Sequence, residues 1–225
     1  MRATIAVMAK QNEHGRLIAA AAKAALAPLG CKRKGQSRLW YSDQRFWVIS
    51  IEFQPSAWSK GSYLNVGATW LWHARPGFGF DMGYRVADFV PFENADQFGP
   101  SVAGMAARAA KEVIALRERF RSVADVYRYL VPLATSDGWR LYHAAVAAGL
   151  VGDVDTAHRL FQQFEAWAVS PQWQTKLQTE CVKLAGLLNE PIIYRSAVLD
   201  IIEQRRQLIG LPSDPYCLGE LDSTI

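Results

Sequence analysis

The sequence predicts an α+β protein: a four-stranded antiparallel sheet flanked by helices, followed by an all-helical C-terminal region. Three observations carry that expectation. In "RFWVISIEFQ" Trp47, Ile49, Ile51 and Phe53 alternate with Phe46, Val48, Ser50, Glu52 and Gln54, the period-two pattern of a strand with one apolar face. "SYLNVGATWLW" repeats it, with Leu64, Val66, Ala68 and Trp70 on one side and Tyr63, Asn65, Gly67 and Thr69 on the other. From Pro100 onward the apolar residues instead recur at three and four, the spacing of helices.

Taken in order, residues 13 to 28 are Ala-rich and end at Pro28-Leu29-Gly30, a helix stop followed by a reversal. "SRLWY" pairs with the first aromatic strand through Ser42-Asp43-Gln44, and "YRVADFVPF" makes a fourth strand that Pro91 ends. Short connections between successive strands suggest a meander. Val102, Met105, Ala109, Val113, Leu116 and Phe120 then define one face of a long helix, and Ser122 with Asp125 caps a short one that Pro132 closes. Asp137, with Ser136, can cap "GWRLYHAAVAAGL", and Gly152-Asp153 separates it from "VDTAHRLFQQFEAWA". That pair resembles half of a tetratricopeptide motif, but a solenoid needs about three such repeats and only one is found, so it reads as a helical hairpin. Pro171 and Pro191 sit at the first turn of two further helices, about 171 to 188 and 191 to 209. The domain reading is therefore 1–132 for the α+β domain, 133–211 for a helical extension of about four helices, and 212–225 for a tail.

Half of the 225 residues are hydrophobic and a fifth are charged, the composition of a packed globule. The net charge of +4 is uneven: residues 1–98 hold 12 Lys/Arg against 7 Asp/Glu, whereas 99–225 hold 13 against 14. Cys31, Cys181 and Cys217 are odd in number and lack a C-x-x-C pair, so neither a disulfide framework nor a zinc knuckle is indicated, and a reducing, cytoplasmic setting is expected. "RLIAAAAKAALAPLG" is interrupted by Lys23 and is too short to span a bilayer; it reads as an uncleaved helix, with no membrane association expected.

The leading helix, "LAPLGCKRKGQSRLWY", the aromatic strand and "SYLNVGATWLW" together resemble an uncharacterised bacterial family. Its members carry an L-x-P-x-G-[FC]-x-[KR]-K-G turn after the first helix and Y-[ILV]-N-[ILV]-G on a later strand. The resemblance covers residues 13 to 90 and, more loosely, continues to 131. Cys31 stands where the family usually has Phe, and Arg85 lies near an expected strand Arg without its surrounding motif. The resemblance implies a helix-flanked antiparallel sheet and no reaction; by analogy, some small bacterial α+β proteins of this appearance act as toxin-immunity partners.

Few chemistries have their parts in this chain. His14, His73, His143 and His158 fall in separate elements with no acidic or thiol neighbour at ligand spacing, so no metal site is expected, and His143 and His158 read as polar residues on helix faces. No nucleophile elbow is present, Cys31 is expected to fill an apolar slot, and "GFGFDMG" opens no helix and cradles no phosphate. No catalytic residue and no cofactor is therefore assigned. Two candidate surfaces remain. Lys32, Arg33, Lys34 and Arg38 form a basic turn that could meet phosphates, with Trp40, Tyr41, Phe46 and Trp47 as stacking partners. Ser50, Glu52, Gln54, Tyr63, Asn65 and Thr69 form a polar sheet face if their strands pair, and Asn65 stands out because Asn is depleted in strands.

Trp47 shares the apolar face and the cations follow a helix C-terminus, which disfavours the nucleic-acid reading of the turn. Trp58, in a loop, is expected to close the core. The favoured reading is a non-enzymatic protein that binds another protein, in the manner of an immunity partner. An enzyme using Glu52 and Asn65 on the polar face is the first alternative, and a nucleic-acid binder through residues 32–38 the second.

Overall fold

The computed structural model describes the backbone of residues 2–135, 137–167 and 172–219, and the side chains of that set outside 2–12 and 172–176. The chain divides into two compact units, Met1–Thr69 with Phe78–Glu118, and Trp70–Gly77 with Arg119–Ile225.

The first unit is a sheet backed by helices. Helix α1 (Arg2–Leu26) tightens into a 3-10 turn, Ala27–Leu29, where the fixed φ of Pro28 is accommodated. Gly30 stops it with φ 73°, a left-handed value that an L side chain resists. Five strands follow, β1 (Lys32–Arg33), β2 (Leu39–Asp43), β3 (Trp47–Pro55), β4 (Gly61–Trp70) and β5 (Met82–Pro91), in the spatial order β1-β2-β3-β4-β5 of a meander. The β1–β2, β2–β3 and β4–β5 pairs are antiparallel. The sheet thus has five strands rather than the expected four. The addition, β1, sets Lys32 against Tyr41 and Arg33 against Trp40, and two residues carry no alternation to read.

Alternation along β3 and β4 sorts the residues as expected on one face. Trp47, Ile49, Ile51, Phe53, Leu64, Val66 and Ala68 are all buried. Ile18, Ala22 and Leu26 of α1 are buried, as are Phe98, Val102, Met105, Ala109, Val113 and Leu116 of α2 (Ala95–Arg119). Helix α2 begins a turn before Pro100: the Asn94 side chain accepts from the Gln97 N–H at 2.9 Å, and the proline lies inside the helix rather than at its start. From α2, Arg117 donates to the Leu29 carbonyl (2.6 Å) and to Ser42 Oγ on β2 (2.7 Å), tying helix, turn and strand together. Arg45 closes the β2–β3 hairpin at φ 72°, its N–H bonded to the Asp43 carboxylate at 2.9 Å.

The second unit is helical: α3 (Val123–Leu130), a 3-10 turn (Val131–Leu133), α4 (Gly138–Leu150), α5 (Val154–Trp167), α6 (Gln172–Gly186) and α7 (Pro191–Ile209). Ser122 and Asp125 complete the anticipated capping box, and Asp137 caps α4. Ser136 and the Ser170-Pro171 step lie outside the described residues. Gly210 ends α7 at φ 76°. The small residues of the α4–α5 hairpin are there for packing: a Cβ on Gly149 would press on the Tyr194 ring and come within 2.8 Å of Leu188. Tyr194 in turn donates to the Val146 carbonyl at 3.2 Å. Trp70, Leu71 and Trp72 belong to this unit's buried residues, the two indoles stacked with centroids 5.7 Å apart. Among the described residues, no helix is long and apolar enough to cross a membrane.

Candidate functional site

The second face of the sheet has two halves of different character. At one end a strap, residues 78–81, lies over it. Phe78 rests on Tyr41 with ring centroids 4.8 Å apart, and Thr69 donates its hydroxyl to the Gly79 carbonyl. The Asp81 N–H bonds the Ala68 carbonyl at 2.9 Å. Gly67 is required beneath the strap, because a Cβ there would meet the Met82 carbonyl, Phe80 Cδ1 at 2.6 Å and Gly83 Cα at 2.7 Å. Two of the six anticipated face residues, Ser50 and Thr69, are consequently buried, and Ser50 Oγ has no hydrogen-bond partner among the described residues. The glycine-rich segment is thus a fitted cover over this end of the sheet.

The other end is open and polar. Asn65 donates through Nδ2 to Gln54 Oε1 at 2.7 Å and, at 3.4 Å, to Glu52 Oε2. Arg85, opposite Asn65 on β5, donates to the same Gln54 oxygen at 3.3 Å and lies 4.0 Å over the Tyr63 ring. Tyr63 also contacts Phe89, centroid to centroid at 5.1 Å. Glu52, Gln54, Tyr63 and Asn65 are half-buried and Arg85 is exposed. The strand asparagine thus has side-chain partners on both neighbouring strands, and it stands where the β4–β5 register shifts between Leu64 and Asn65. Chemically, the arrangement offers donors and acceptors held in fixed directions by one another. A ring carrying a guanidinium supplies the apolar element.

Trp58 reverses its expectation. It is 94 % exposed at the tip of the β3–β4 hairpin, whose strands carry Glu52, Gln54, Tyr63 and Asn65. Its N–H is held by Ser56 Oγ at 3.2 Å, so the loop is ordered by its own serine without drawing the indole inward.

The basic turn is largely committed to its own structure. Arg33 spends its guanidinium on the carbonyls of Ser37 and Gln36, both at 2.7 Å, and Lys34 sits 4.4 Å over the Phe78 ring. Arg38 turns inward and donates to His14 Nδ1 at 3.3 Å. Lys32 remains exposed. Of the four aromatics considered as stacking partners, Trp40, Phe46 and Trp47 are buried and Tyr41 lies under Phe78. Cys31 is buried, which pushes its thiol up despite the nearby Arg117 cation.

A further polar cluster lies in the helical unit, built on residues whose sequence spacing gives no sign of it. The single Tyr142 hydroxyl proton is shared between the Trp72 carbonyl, at 2.5 Å, and the Glu180 carboxylate, and burial followed by the Glu180 charge pushes its phenol well above the usual range. His73 Nδ1 lies 3.9 Å from the same carboxylate. His143, on a helix face as expected, is buried and accepts from the Trp72 indole at 3.0 Å. An imidazole can enter a core when a specific donor awaits it, and here the donor comes from a segment 71 residues away.

Among the described residues, no group of three or more His, Cys, Asp or Glu could hold a metal ion. No family model, curated protein or solved structure matches the chain.

Proposed function

We propose that the protein acts by binding another protein, without chemistry of its own, through the β3–β4 hairpin and the open half of the sheet's second face. The observation that carries this reading is the 94 % exposure of Trp58 beside a pre-arranged polar network. Tryptophan and arginine are the residues most often responsible for binding energy at protein interfaces, and an indole left in water has a free-energy gain available on burial. Because Gln54, Asn65, Tyr63 and Arg85 already constrain one another, little side-chain freedom remains to be lost on association. The unit that carries them holds 14 Lys/Arg against 9 Asp/Glu, which suits an acidic partner. An immunity-type encounter with a toxin is the finer form of this reading.

The test is co-expression with the products of the flanking reading frames, followed by calorimetric titration of any protein retained. Trp58→Ala and Arg85→Ala are each expected to weaken binding about tenfold or more, and to weaken relief of toxicity where the partner is a toxin. A partner that binds both variants as tightly as the parent chain would displace this reading, as would turnover that depends on Glu52.

A further inference from the structure

Within the first unit a groove of about 320 Å³ runs between residues 87–90 of β5 and residues 100–108 of α2. Ala87 and Met105 are buried and Val90 is half-buried, so the floor is apolar. Each wall carries one charge, Asp88 from the strand and Arg108 from the helix, and both are exposed. Neither side chain makes a hydrogen bond or an ion pair among the described residues. Two opposite charges therefore line one groove without satisfying each other.

Two features of the backbone shape this groove. Gly104 sits inside α2, where glycine is a poorer helix former than alanine, yet a Cβ there would meet nothing within 4 Å. Packing within the chain does not ask for glycine at this place; the space above it belongs to the groove, and glycine lets a ligand approach the helix backbone. On the strand side Ser62 pairs with Val90 and Leu64 with Ala87, so two steps along β4 match three along β5. The extra residue breaks the alternation: the Phe89 ring reaches Tyr63 on the polar face, whereas Asp88 lines the groove beside α2. Bulges re-aim side chains in this way and are over-represented next to active sites.

We propose that the groove binds a free α-amino acid with an apolar side chain. Its carboxylate accepts from the Arg108 guanidinium, its ammonium donates to the Asp88 carboxylate, and its side chain lies on Ala87 and Met105 across the Gly104 backbone. The volume stands at the small end of ligand sites, which run from about 300 to 1,000 Å³. A ligand with only a negative charge would face Asp88 as a like charge, and one with only a positive charge would face Arg108 in the same way. Addition of an extended peptide strand to the outer edge of β5 suits the site less, because the extra residue interrupts that edge and Pro91 has no N–H to give. Both charged groups are exposed, so the affinity is modest, with a dissociation constant on the order of 1 mM.

The experiment titrates the nitrogen-15-labelled full chain at pH 7 with L-leucine, L-methionine and L-phenylalanine, each to about 20 mM at constant ionic strength. Isocaproate, which is leucine without its ammonium, and isopentylamine, which is leucine without its carboxylate, serve as controls. The amide resonances of Asp88, Gly104 and Arg108 are expected to move saturably with at least one amino acid. The two controls should bind at least about tenfold more weakly, as should the amino acid to Arg108→Met and to Asp88→Asn. Gly104→Leu should fill the groove and abolish the shifts with the chain still folded; were it not to fold, the two surface variants decide the matter. The proposal is overturned if none of the three amino acids gives a saturable shift, if the shifts survive Arg108→Met or Asp88→Asn, or if isocaproate or isopentylamine binds as tightly as leucine. Broadening of the β5 amides by a Thr-Val-Thr-Val-Thr peptide, with no response to the amino acids, would assign the edge to strand addition instead and overturn it as well.

Discussion

The Trp72 indole N–H points at Nδ1 of His143 across 3.0 Å, inside the helical unit, while the Trp72 carbonyl accepts from Tyr142. One residue of the β4–β5 connection is therefore bonded by both its side chain and its backbone to adjacent residues of α4. Replacing His143 by Leu removes the acceptor and strands a buried donor, with an expected loss of about 1 to 3 kcal/mol. Adding Trp72→Phe in the same chain should cost less than the sum of the two single changes, because both ends of the bond then disappear together. Urea denaturation of the four proteins measures the difference.

Gly67 lies under the strap with backbone and ring atoms where a Cβ would go. Gly67→Ala must displace Phe80 and the Met82 carbonyl, and we expect a destabilisation of about 1 to 3 kcal/mol. Loosening the strap should also expose the Tyr41 side of the sheet, so binding of a hydrophobic dye should rise in step with the loss of stability.

Trp58 makes the opposite forecast. Trp58→Ala should leave stability within about 0.5 kcal/mol of the parent, since exposed side chains contribute little to folding. The same change should remove a large share of the acrylamide-quenchable tryptophan emission, because Trp58 is far more exposed than Trp167 (94 % against 37 %) and Trp40, Trp47, Trp70 and Trp72 are buried.

Stability should depend on pH through His14. Its folded pKa is about 4 and its ordinary value 6.5, so between these limits the unfolded chain binds a proton that the folded chain refuses. Stability is thus full above about 6.5, falls as the pH drops toward about 4, and gains no further loss from this group below that. The Asp125 and Asp153 carboxylates are held down chiefly by hydrogen bonds from Ser122 and Tyr127, and their contributions are lost at lower pH than that of His14. The denaturation midpoint of the parent chain should fall relative to that of His14→Phe as the pH drops through the window from 6.5 to 4.

Much of the architecture was legible because it is local. The alternation in β3 and β4, the spacing of Val102, Met105, Ala109, Val113 and Leu116, the Ser122–Asp125 box and the Gly210 stop each place their cause within a few residues of their effect. The candidate site was legible only in outline. Period two assigned Asn65, Gln54 and Glu52 to one face, but nothing in that pattern says that Phe78 and Phe80 fold back over Ser50 and Thr69. Charge counting marked the turn at residues 32–38 as a surface, whereas Arg38 finds His14 from 24 residues away and Arg33 turns on its own loop carbonyls. Those outcomes depend on which groups meet in three dimensions, and local composition carries no record of such meetings.

The eight residues Trp70–Gly77 belong to a unit whose remaining residues begin only at Arg119. A nascent polypeptide therefore presents two indoles and Leu71 long before the ribosome has delivered the helix that shelters them. During that interval those apolar groups are exposed to chaperones and to neighbouring chains. Moreover, no single proteolytic cut can separate the two units without leaving this octapeptide on the wrong fragment.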